Sequence, residues 1–220
     1  MWYRLNYSTE ETVIGKYPQT DKYMEGAQTF LLDVKAISPD KHLEINYNIN
    51  YILLKNAAKF TDIICCSQSK GRGLIISEKL HDIIDNYKIY NVKFYNTLLK
   101  QKNTSRNYFF MRLAGSFINY IDYSKTLFRT YKSGEVVKEF KCISASDYEF
   151  KRQEQTKLDS INPVCIHELY LSDEFLSQGF DCIYLGRLDS VSIIINEKLK
   201  KALESENLTI DIKPYGLIKN

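Results

Sequence analysis

Residues 74–84 read LIISEKLHDII, and 119 positions later residues 193–203 read IIINEKLKKAL. One offset carries a strand-to-helix junction onto a second one, which restricts the chain to folds that use the same unit twice. The match runs without a gap from 62–89 to 181–208, with seven of 28 positions identical, and it sets DIICC (62–66) on DCIYL (181–185). Each junction has the same physical logic. A short apolar run rich in β-branched isoleucine (Leu74 to Ile76, Ile193 to Ile195) reads as a strand. Ser77 and Asn196 follow as structural caps, offering a side-chain oxygen to the free N–H groups of a helix. Glu78 and Glu197 place negative charge in the first turn. Leu80, Ile83 and Ile84, matched by Leu199, Ala202 and Leu203, form the apolar stripe.

The chain of 220 residues is long enough to bury a core without disulfide or metal staples. These observations predict an α+β protein in a single domain, 1–220. It has a mixed β-sheet with helices packed on one face. Two pseudo-symmetric halves, approximately 1–100 and 101–220, each carry a strand–helix–strand unit. Between the repeats, TFLLDVKAI (29–37) has strand character and LLKNAAKF is helix-like. NYFFMRL opens as a strand, and LFRTYKSGEVVKEFKCI reads as a hairpin turning near Lys132, Ser133 and Gly134. The polar stretch 144–162 reads as an exposed helix or a long loop.

Thirty basic against 27 acidic residues leave a formal charge of +3, with the signs interspersed. That argues against a nucleic-acid partner, which favours a concentrated basic face. The N-terminus carries no signal-peptide pattern, and no run approaches the length of a membrane span. Cys65, Cys66, Cys142, Cys165 and Cys182 are odd in number and lack C-x-x-C spacing, as expected of reduced thiols in a cytoplasmic protein.

Catalytic signals are sparse. Cys165 and His167 share a face if their strand is regular, so they form a candidate nucleophile and base lacking a third orienting group. His81 falls on the polar side of its helix as a solvated residue. No pair of His or Cys has metal-ligand spacing. SKGRG (69–73) lacks the phosphate-loop pattern and precedes a strand rather than a helix. The residues therefore imply no enzyme, no cofactor and no metal.

Three stretches carry a likeness to a known family. They are GLIISEKLHDIIDNYKIYNVKFYNTLL (73–99), YFFMRLAGSFINYIDYSKTLF (108–128) and CIYLGRLDSVSIIINEKLKKALESENLTIDIKP (182–214). Through them the chain resembles the myxobacterial-type immunity domain encoded beside bacterial polymorphic toxins. Two places depart from that pattern. Asp122-Tyr123-Ser124 is a compressed form of its Asp-Tyr-x-x-Ser element, and Ile210 stands where a glycine often follows Thr209. The resemblance implies an immunity protein that binds a cognate toxin one to one and neutralises it by occlusion. Alternatives are a hydrolase or transferase using Cys165 and His167, and a nucleic-acid-binding regulator. Arg72, Tyr148, Phe150 and Arg152 are the candidate toxin contacts, taken as exposed side chains of recognition type.

Overall fold

The computed structural model describes residues 1–23, 51–65, 73–113, 117–132, 135–158, 164–185 and 193–219. The fold is α+β, with three sheets and helices between and upon them. The first half contributes β2 (Thr20–Tyr23), β3 (Tyr51–Leu54), β4 (Ile63–Ile64), β5 (Gly73–Ser77), α2 (Glu78–Ile84) and β6 (Val92–Gln101). A short helix, α1 (Glu11–Ile14), precedes them. The second half contributes β8 (Leu127–Lys132), β10 (Cys165–Tyr170), β11 (Cys182–Tyr184), β12 (Ile193–Asn196), α5 (Glu197–Glu204), β13 (Ile210–Pro214) and β14 (Ile218–Lys219). It also holds β9 (Glu135–Phe140), α3 (Ala145–Leu158) and α4 (Asp173–Gln178). Each half begins with a further strand, β1 (Trp2–Tyr7) and β7 (Thr104–Leu113).

Those two opening strands are exchanged. β7 lies in the six-stranded sheet of the first half, ordered β2-β3-β6-β7-β5-β4, while β1 lies between β12 and β13 of the second half. The expected boundary near residue 100 falls at the β6–β7 turn, but each half completes its sheet with the other's first strand. The strand registers repeat as well. Ile63 faces Ile76 as Cys182 faces Ile195, both at the offset of the sequence repeat. Ile76 then faces Phe109 as Ile195 faces Tyr3, and Phe94 faces Met111 as Ile212 faces Leu5. β3 runs parallel to the far end of β6, and β10 runs parallel to β14, which resumes after β13. β2 and β8 close the series, each antiparallel to that parallel strand and each with an irregular register.

Two aspartates lock the junctions. Asp62 Oδ1 accepts from Ser77 Oγ at 2.6 Å and its carbonyl accepts from Ser77 N at 2.9 Å; Ser77 Oγ in turn accepts from Leu80 N. Asp181 Oδ1 accepts from Asn196 Nδ2 at 2.9 Å and its carbonyl from Asn196 N at 2.9 Å, while Asn196 Oδ1 accepts from Leu199 N. Both expected caps are thus formed, each braced from below. The second carboxylate oxygen reaches across to the opposite half. Asp62 Oδ2 accepts from the Thr209 amide and hydroxyl at 2.7 and 2.8 Å, beyond α5. Asp181 Oδ2 accepts from Lys88 N at 3.0 Å, beyond α2.

One core is shared by the halves. Leu5, Ile63, Ile76, Leu80, Ile84, Met111, Ile195, Leu199 and Leu203 bury together in it. Four of the six helix-stripe residues are buried as expected; Ile83 and Ala202 are half-buried along the seam between α2 and α5. His81 is not freely solvated. Its ring stacks on Phe109 at 3.8 Å and meets Phe94 edge-on at 4.7 Å, because the exchanged β7 passes under α2. Gly73 allows the close approach of β5 to β7, since a Cβ there would stand 2.3 Å from the Met111 carbonyl oxygen. The helix expected at LLKNAAKF is instead the strand β3 followed by a turn, and the strand expected at 29–37 lies outside the described residues. An aromatic second core, including Tyr90, Phe117, Phe128, Tyr148 and Phe175, fills the sheet of β14, β10, β8 and β9.

Replacing Asp181 with alanine removes the acceptor for Lys88 N and Asn196 Nδ2 at a buried position. It should cost about 2–4 kcal/mol in urea unfolding. Asp62→Ala should act in the same direction; a loss under about 0.5 kcal/mol for both, the range of a surface change, would refute the locking role.

Candidate functional site

In both halves one long connection links a strand to its antiparallel neighbour, β2 to β3 and β8 to β10. In the first half it spans 24–50, outside the described residues; in the second it is β9 and α3. β9 forms because Glu135-Val-Val-Lys-Glu-Phe140 pairs antiparallel with β8, from Phe128 opposite Phe140 to Lys132 opposite Glu135. β10 supports β8 only as far as Arg129, so the ladder beyond that point has two strands. A register shift leaves Val137 as the extra residue between Lys138 and Val136.

α3 starts with a reciprocal cap. Ser144 Oγ accepts from Asp147 N at 3.2 Å, and Asp147 Oδ2 accepts from Ile143 N at 3.0 Å. Lys151 Nζ lies 2.8 Å from the same carboxylate, which holds the Asp147 carboxyl below the usual range. The helix packs inward through Tyr148, whose ring centre is 5.0 Å from that of Phe128. Tyr148 is therefore not a contact residue: it is 1% exposed and belongs to the core. Its position every fourth residue from Ser144 carries it under the helix, a placement that polarity alone did not reveal.

The outward face differs. Val136, Val137, Ile143 and Phe150 are 46, 61, 90 and 63% exposed, and they make up four of the seven large apolar side chains exposed among the described residues. Folding gains little from an exposed apolar group, and these four fall within one stretch, 136–150, that runs from β9 into α3. Charged side chains along the same elements are paired: Arg129 with Glu139, Arg152 with Glu149 at 2.7 Å, and Lys151 with Asp147. Phe150 and Arg152, expected as contacts, both lie on α3, Phe150 exposed and Arg152 half-buried, one turn beyond Tyr148 and paired with Glu149. Arg72 lies outside the described residues. Val136, Val137 and Ile143 were legible only as paired valines that break strand alternation and an apolar residue before a capped helix.

The proposed nucleophile and base are not arranged as a regular strand requires. β10 is bulged at His167, between Ile166 opposite Phe128 and Glu168 opposite Leu127, which breaks the alternation that would align Cys165 with His167. Elsewhere burial pushes the Cys182 thiol up to about 12 and the Cys142 thiol up to about 11. At the Asp122-Tyr123-Ser124 element, Asp122 Oδ1 accepts from the Ser124 amide and hydroxyl, and Lys125 lies 2.9 Å from Oδ2. Led by the Ser124 hydrogen bond, these contacts lower the Asp122 carboxyl to about 2, and the element acts as a turn. Among the described residues no three His, Cys, Asp or Glu side chains are placed to hold a metal ion, and no helix is long and apolar enough to cross a membrane.

Comparison with known protein families finds no matching family, and comparison with curated proteins finds no matching relative.

With thiols held above neutral pH, native Cys142 and Cys182 should resist alkylation at pH 7 until denaturant is added. Peptide mass mapping reads this directly. Rapid labelling of either in the folded chain would mean that it is not a buried structural thiol.

Proposed function

We propose that this chain is an immunity-type protein that binds a toxin or effector polypeptide in the cytoplasm of the producing cell and neutralises it by covering its working surface. One observation carries the reading: four exposed large apolar side chains, interspersed with ion pairs, along the stretch from β9 into α3. An interface built that way places its energy in a few large side chains at the centre, with ion pairs around them excluding water. Phe150 and Ile143 are the central anchors, and Arg152, fixed by Glu149, belongs to the rim. The order of motifs along the chain, which resembles the immunity domain, agrees with the same role. Occlusion asks nothing of Cys165 or His167.

The test is co-purification of the tagged chain with the polypeptide encoded beside its gene, followed by assay of that polypeptide's toxicity with and without it. A stoichiometric complex that suppresses toxicity is expected. A folded, monodisperse chain that forms no complex and rescues no growth would overturn the reading. Within the complex, Ile143→Ala with Phe150→Ala should weaken binding by about 2 kcal/mol or more, measured by calorimetry. Unchanged affinity would remove the β9–α3 face from the interface.

A further inference from the structure

Charges that look interspersed along the chain are sorted in space at the β6–β7 turn. The hairpin end (98–107) carries Lys100, Lys102 and Arg106 and no Asp or Glu, and the β3–β4 connection (55–62) carries Lys55 and Lys59 with one acid, Asp62, whose carboxylate is taken up by Ser77 and Thr209. Gln101 fastens one segment to the other: its Nε2 donates to the Lys55 carbonyl at 2.7 Å and to the Ala58 carbonyl at 2.6 Å. Tyr108 adds a hydrogen bond from its hydroxyl to the Thr61 carbonyl at 2.8 Å.

Among the described residues none of these five cations has a carboxylate partner. Two are instead held by rings: Lys100 Nζ lies 4.0 Å from the centre of Tyr51, and the Arg106 guanidinium lies 4.5 Å from the centre of Phe60. Lys59 Nζ donates to the Thr12 carbonyl at 2.8 Å. Arg106, stacked on Phe60, lines a cleft of about 430 Å³ together with Tyr108, Asp62, Glu78 and Lys79. Like charges gathered without counter-ions among the described residues repel one another, and an acidic partner would relieve that repulsion.

We infer that this hairpin end is a docking surface for an acidic patch on a partner protein. The flanks decide the class of partner. Glu11 on one side and Glu78 on the other are exposed and have no cationic partner among the described residues. A continuous phosphate backbone would run into both carboxylates, whereas a protein surface can set acidic groups against the five cations and basic groups against the two ends. Arg106 takes the central acid, because its guanidinium is already oriented and pairs with a carboxylate through two donors. This surface is separate from β9 and α3, and the inference holds whether or not the partner is a toxin.

The experiment is an NMR titration of the full isotope-labelled chain with a short peptide of alternating glutamate and serine, alongside a single-stranded oligodeoxynucleotide of matched charge. With the peptide, amide shifts confined to residues 55–60 and 100–107 are expected, diminishing as salt rises toward physiological strength. Lys102→Glu with Arg106→Glu should reduce peptide affinity about tenfold, and the milder Arg106→Gln should reduce it less. Lys157→Glu and Lys201→Glu, on helices elsewhere, should leave it unchanged. Tighter binding of the oligonucleotide at these residues would assign the surface to nucleic acid and overturn the proposal. Shifts elsewhere, no binding, or equal loss in the two control variants would overturn it as well.

Discussion

A carboxylate that serves two halves at once is the contact on which the architecture turns. Asp62 and Asp181 each face the strand-to-helix cap of their own half with one oxygen and the connecting segment of the other half with the second. A short side chain with acceptor sites on both oxygens suits that task, and a carboxylate accepting several N–H and O–H donors stays satisfied while buried. The geometry places α2 and α5 side by side. It also fixes where each chain segment leaves its helix, and so where β6 and β13 begin.

Exchange of the opening strands makes the arrangement obligatory. β1 sits in the interior of the second half's sheet and β7 in the interior of the first's. Neither half can close its own core, because Leu5 and Met111, equivalent residues on the exchanged strands, both bury in the shared cluster. The molecule has the connectivity of a strand-swapped pair of units joined in one chain. Such a pair unfolds as one body, since removing either first strand exposes the interior of the opposite sheet.

The repeat was legible because its restraints are local. Ser77 and Asn196 cap helices that start one residue later, and the apolar stripes follow at helical spacing. The exchange was not, because β1 pairs with residues nearly the whole chain away, and WYRLNY has equal reason to join any sheet. The candidate site divides the same way. Phe150 was legible as a large side chain in a polar stretch, while Tyr148 two residues earlier was misjudged, since only packing against Phe128 distinguishes the inner face of a helix with so few apolar residues. The cationic grouping was invisible in one dimension: Lys55 and Lys102 become neighbours only through Gln101.

Duplication also supplies an internal control, because what the fold requires should be present in both halves. Lys200 lies over the Tyr3 ring where His81 stacks on Phe109, at matching positions, so a cation or imidazole over an aromatic ring is part of the scaffold. Lys198 lies over Tyr87 as Lys79 reaches the Glu206 carboxylate at 3.5 Å, again across the helix pair at matching positions. Glu197 accepts a hydrogen bond from Tyr3, but Phe109 has no hydroxyl to offer Glu78, which is left open at the cleft. Features that repeat are explained by folding. The segment equivalent to β9 and α3, 24–50, lies outside the described residues, so the halves compare only at the paired junctions, where Glu78 and Glu197 differ although the scaffold around them is the same.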